Sequence, residues 1–213
     1  QKVDHIDPAD FAEKMCGLQF TFADISEAHD AIGLTATSGV IITIPQRDGT
    51  RLDYELDGKT AFIDQSLVAE NQIGRLNFTM MHEAAHQLFW MLYPEEYEVQ
   101  TPRCVFRMAD EHTQYPVLNW EEWQTNVLTS YLLLPKELVY RHMADVGLKD
   151  GVSVLNRIYA RKDYERFSEA AKRLGVSKTA LTIRLSQLGL VGRNDLYDPY
   201  ALVDIFPEKN EIA

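Results

Sequence analysis

The chain has 213 residues, 46% hydrophobic and 10% aromatic with three Trp, which suffices for a sizeable buried core and excludes a disordered polypeptide. Its net charge of −11 argues against a general nucleic-acid binder, because phosphate contact needs basic surface. No apolar run approaches the roughly 18 to 20 residues of a membrane span, and the longest, YLLLP, is far shorter.

The N-terminal QKVDHIDPADF has neither a basic n-region nor an apolar h-region and does not read as a signal peptide. Its first residue is Gln rather than Met, which leaves a trimmed leader open. Residues 8–15 (PADFAEKM) predict a short helix starting on Pro8. Cys16 and Cys104 are the only cysteines. Two thiols so far apart make neither a disulfide framework nor a zinc ribbon, which favours a reducing interior. The expectation is a soluble, cytoplasmic protein.

Strand-like runs follow at 18–25, 39–45, 51–58 and 59–65, with Asp48-Gly49 and Asp57-Gly58 as turn signals. They predict a small, mostly antiparallel sheet. From residue 66 the pattern turns helical. One helix is expected to begin near Asn77, a good N-cap, and to stop before Pro94. Residues 93–116 read as a loop. A second helix spans 119–134 and ends at Pro135; a third spans 136–147 with Gly147 as a C-cap. The last helical stretch, 161–190, is broken at Gly175.

The helix ending before Pro94 carries LNFTMMHEAAHQLFW, with His82 and His86 four residues apart and Glu83 between them. Residues so spaced on a helix share one face, about 5 to 6 Å apart at Cβ, so both imidazoles can reach one tetrahedral ion. Glu83 points to a neighbouring sector, where it can take a proton from water at the ion. The same stretch also reads as an amphipathic core helix, since Phe78, Met81, Ala85, Leu88, Phe89 and Leu92 recur at helical spacing. Two histidines leave a catalytic zinc one protein ligand short. On the next helix Glu122 and Asn126 stand at i, i+4, so Glu122 could bind the ion while Asn126 hydrogen-bonds a ligand. Asn119 with Glu122 three residues later also approximates a capping box, and Glu121 competes from one residue off that face.

RLNFTMMHEAAHQLF resembles the Arg-x-x-Phe-Thr-x-x-His-Glu-x-x-His segment of the ImmA/IrrE-type zinc metallopeptidases. EWQTNVLTSYLLLP stands where that family shows Glu-x-x-Ala-Asn-x-Phe-Ala-x-x-Leu-Leu-Met-Pro, matching at Glu122, Asn126, Leu132, Leu133 and Pro135. Thr125, Leu128, Thr129 and Leu134 depart from it on what reads as the packing side, and Ala85 replaces a Gly. The resemblance covers about residues 8 to 190. It implies a gluzincin-like site with His82, His86 and Glu122 as ligands of Zn2+ and Glu83 as general base. Mn2+ or Fe2+ could also suit these ligands. It further implies a sheet edge beside the site helix along which an extended peptide could lie. The expected fold class is α+β, a small mostly antiparallel sheet packed against the site helix and followed by a helical C-terminal part. Residues 1–150 read as a zincin-like core. Residues 151–213 read as a helix-turn-helix-like segment and tail packed on it. Tyr131, His112 and Tyr115 are candidate transition-state donors, and no spacing selects among them. His5, His29 and His142 have no ligand partner in the sequence and read as surface or packing residues.

Residues 161–193 hold eight basic groups against three acidic ones, a local +5 that leaves −16 for the rest. Ala171, Gly175 and Leu181 have helix-turn-helix spacing. DNA contact through this segment competes with a packing role in which Leu174, Val176, Leu181, Ile183, Leu185 and Leu188 fill the underside of a helical bundle. The functional expectation is a zinc endopeptidase whose substrate, by resemblance, is a helix-turn-helix repressor of mobile-element or stress genes. The alternatives are a DNA-binding regulator with a structural or degenerate metal site, and a non-proteolytic hydrolase using the same chemistry.

Overall fold

The structure, a computed structural model, describes residues 4–46, 48–97, 104–108 and 120–197, with only the backbone described at 70, 104, 106 and 108. The chain runs α1 (Pro8–Cys16), β1 (Gln19–Ala23), β2 (Ala31–Ala36), β3 (Ser38–Pro45), β4 (Arg51–Asp57), β5 (Thr60–Asp64), two 3-10 turns, then α2 (Ile73–Leu92). There follow β6 (Cys104–Met108), α3 (Trp120–Leu133), α4 (Lys136–Asp145), β7 (Val152–Leu155), α5 (Arg161–Arg173), α6 (Lys178–Gln187) and β8 (Val191–Asn194). The fold is α+β. Its main sheet has the order β1-β5-β2-β6, with β1–β5 parallel and the other two pairings antiparallel. β3 and β4 form an antiparallel hairpin, and β7 pairs with β8 in parallel.

Three layers result. The hairpin packs on one face of the main sheet through Ile42, Ile44 and Leu56 against Leu34, Ala36 and Phe62. On the other face lies α2, where residues 79–87 are buried on every side. Met80 packs with Ile32, Ile63 and Leu67, while Ala84 packs with Ala12, Leu18 and Ala61. Met81 turns the other way, into a large cluster built from α3 to α6. A helix buried all round must send each polar side chain to a partner. Gln87 accordingly donates to Thr35 Oγ1 at 2.8 Å and to the Ala36 carbonyl at 3.0 Å.

Several boundaries differ from the sequence reading. α2 starts four residues before Asn77, whose side chain donates to the Gly175 carbonyl at 2.8 Å instead of capping the helix. β2 had no alternation to reveal it, because all six of its residues are buried. The stretch 93–116, read as loop, contains β6.

The basic segment forms the α5–turn–α6 hairpin with Gly175 at φ +67° in the turn. That turn is seated on α2: a Cβ on Gly74 would collide with the backbone of Val176 and Ser177. Leu174, Val176, Leu181 and Leu185 are buried as the packing role requires, whereas Ile183 is exposed. Arg184 is buried too, donating to the Leu134 carbonyl at 2.9 Å and stacking on Tyr131. Among the described residues, no helix is long and apolar enough to cross a membrane.

Candidate metal centre

α2 and α3 lie side by side and place three donors together. His82 Nε2 and His86 Nε2 are 3.1 Å apart. Glu122 sets Oε2 at 3.1 Å from His82 Nε2 and Oε1 at 3.0 Å from His86 Nε2. Ligand atoms around a tetrahedral ion with bonds of about 2.0 to 2.2 Å are themselves about 3.3 to 3.6 Å apart, so this triangle need open only by a few tenths of an ångström to hold zinc. Both imidazoles are buried and the Glu122 side chain is 20% exposed. Glu83, fully buried, leaves α2 toward the sheet and lies against Gly33 of β2. Glu83 and the two histidines therefore occupy adjacent sectors of α2.

The outer nitrogens of the two rings meet different partners. His86 Nδ1 is 3.6 Å from Glu121 Oε1, which accepts from Trp90 Nε1 at 3.0 Å. Thr125 Oγ1 lies 3.4 Å from the same nitrogen while donating to the Glu121 carbonyl. Glu121 thus orients His86 from behind, and Glu122 is the carboxylate facing both histidines. Thr125, which reads as a packing departure in the sequence, sits beside the candidate ligand His86.

Arg107 of β6 donates through Nη1 to His82 Nδ1 at 2.8 Å and to Asn126 Oδ1 at 3.2 Å. A guanidinium cannot accept, so His82 Nδ1 is the acceptor here. An ion on His82 Nε2 requires the ring proton on Nδ1, which excludes this contact; Asn126 then remains as a partner for Arg107. With His82 Nδ1 accepting, Asn126 is linked to His82 through Arg107; an ion on Nε2 breaks that link. No local pattern points to Arg107, because the sheet is what brings β6 to α2.

The charges respond accordingly. Burial and the neighbouring Arg107 push His82 down to about 3. Burial opposes the charged form of His86 as well, yet the Glu121 and Glu122 carboxylates outweigh it and hold its pKa up at about 9. Burial would raise Glu122, but its contacts with His82 and His86 keep it well below the usual carboxylate range.

Tyr131 does not join this group. It stands nine residues beyond Glu122, about 13 Å along the helix, and stacks on Arg184. His112 and Tyr115 lie outside the described residues. His142 is a packing residue, buried with Nε2 2.6 Å from the Asp4 carbonyl. His29 does have partners: with Asp24 and Asp64 it forms a second group close enough to hold a cation. Asp64 there already accepts from the Ile25 and Ser66 amides as well as facing His29. No family model, curated protein or solved structure matches the chain.

Proposed function

We propose that this chain is a zinc-dependent endopeptidase of the cytoplasm, with a helix-turn-helix repressor as the substrate suggested by resemblance alone. The observation that carries the reading is the meeting of His82 Nε2, His86 Nε2 and the Glu122 carboxylate within 3.1 Å, beside the buried Glu83. A purely structural site has no use for a buried carboxylate next to its ligands.

Zinc bound by these residues would supply Lewis acidity toward a carbonyl oxygen and make water more acidic. Glu83 takes the proton of the attacking water and passes it to the departing amine nitrogen. Burial of His82 and His86 among α2, α3 and the sheet holds both imidazoles in one orientation. Among the described residues β6 ends the main sheet, so its outer edge would offer backbone groups to an extended peptide.

The DNA-binding alternative draws less support. Arg161, Arg166 and Arg173 pair with Glu165, Asp163 and Glu169 on their own helix, and Arg184 is buried. Glu83→Gln separates the two readings. Zinc content and fold should persist while peptide cleavage falls by at least about 100-fold. Unchanged cleavage by this variant would overturn the peptidase reading.

A further inference from the structure

Beside the metal centre, α2 and α3 border a recess of about 620 Å3. Phe89 from the end of α2, Tyr93 and Tyr97 just beyond it, and Trp120 from the start of α3 supply aromatic walls. Their positions are fixed by contacts. Phe89 and Tyr97 stack with centroids 5.2 Å apart, Tyr97 donates its hydroxyl proton to Gln124 at 2.6 Å, and Trp120 stacks on Trp123 at 4.6 Å. Glu96 adds an exposed carboxylate and Glu121 one that already faces His86 and Trp90, and none of the described lining residues is basic. Glu121 joins the recess to the metal centre, since its Oε1 is 3.6 Å from His86 Nδ1.

Aromatic faces carry negative potential and attract an ammonium or guanidinium within about 6 Å. An apolar occupant would instead take water away from the exposed Glu96 carboxylate and give nothing in exchange. Glu121 is offset by the charged His86 behind it, and the first turn of α3 opposes a cation with only about half a unit charge, less than Glu96 alone supplies. A long basic side chain also suits the shape, because its methylene stem can lie along the rings while its head meets Glu96.

We propose that this recess is the subsite for a cationic side chain, Arg or Lys, next to the cleaved bond of the peptide substrate. The assignment rests on the peptidase reading above.

Hydroxamates serve as metal-anchored probes of the zinc-loaded full chain. Acetohydroxamate, with no side chain, reports the metal centre alone; the hydroxamates of arginine, lysine, leucine and phenylalanine report the recess. Arginine and lysine hydroxamates should bind about tenfold tighter than the leucine and phenylalanine compounds. That margin should shrink in Glu96→Gln and at high salt. Equal or tighter binding of the leucine or phenylalanine compound overturns the subsite and leaves the metal centre standing. If acetohydroxamate itself does not bind, the metal-centre reading falls, and agmatine, which needs no metal, decides the subsite. Saturable quenching of tryptophan fluorescence by agmatine, weakened by Glu96→Gln and lost in Trp120→Phe, supports it. Absence of saturable quenching overturns it.

Discussion

Gly33 on β2 faces Glu83 on α2 so closely that a Cβ on Gly33 would collide with Glu83 Oε1 and stand 2.8 Å from Thr79 Cγ2. The sheet thereby acts as a stop for the proposed base. Gly33→Ala should push the carboxylate aside and lower peptide cleavage by about 100-fold through misplacement alone. Overpacking should cost about 1 to 3 kcal/mol of stability. Zinc affinity should stay within a few-fold of the parent, because His82, His86 and Glu122 are untouched. Parallel assays of hydrolysis and zinc competition check this; a variant that loses zinc in step with activity would contradict it.

The two neighbouring carboxylates should separate by metal affinity. Glu122 faces both imidazoles, whereas Glu121 lies behind His86. Glu122→Gln should weaken zinc binding by more than about 100-fold, and Glu121→Gln by about tenfold, the usual effect of an outer partner. Titration against a chromophoric chelator gives the ranking. The reverse order would make Glu121 the ligand.

Part of this arrangement was legible in the sequence, and the rest failed for identifiable reasons. The i, i+4 spacings of His82/His86 and Glu122/Asn126 survive folding because helices keep spacing, and the strands at 39–45, 51–58 and 59–65 kept their alternation or turn signals. β2 was hidden because a strand buried on both faces loses the period of two. Asn77 resembled a cap because capping and tertiary hydrogen bonding use the same side chain, and its bond to Gly175 spans 98 residues. Arg107 and the role of Glu121 depend on how β6 and α3 are set against α2, which no local pattern encodes.

The metal-free protein should be most stable near the ordinary histidine pKa. His86 is held up at about 9, so its charged form stabilises the fold fully below pH 6.5 and that contribution is lost as pH rises through about 9. His82, pushed down to about 3, acts oppositely: its neutral form contributes above pH 6.5, and the contribution is lost as pH falls toward 3. Glu122 adds to the acid loss because its folded pKa is depressed from 4.5. Unfolding temperatures of the chelator-treated protein should therefore fall from pH 7 to 9. Zinc needs both rings unprotonated at Nε2, so the stabilisation it gives should grow over the same interval. A metal-free unfolding temperature that stays flat from pH 7 to 9 would contradict the charged His86.

The helical hairpin should support the site helix. Gly74→Ala would wedge a methyl group between α2 and the Val176–Ser177 backbone. Backbone cannot yield as a flexible side chain does, so the unfolding midpoint should drop by several degrees, corresponding to about 1 to 3 kcal/mol. Asn77→Ala should add a smaller loss by removing the bond to Gly175. Thermal melts of both variants give the comparison, and an unaltered Gly74→Ala melt would show that the turn does not rest on α2.

The central claim, one ion held by α2 and α3 together, is tested most directly by anomalous scattering at the zinc edge from a crystal grown with stoichiometric zinc. The account requires one peak within about 2.0 to 2.2 Å of His82 Nε2, His86 Nε2 and a Glu122 oxygen. Arg107 should then have turned from His82 Nδ1 toward Asn126. A peak ligated by Glu121 in place of Glu122, or none between the two histidines, would contradict it.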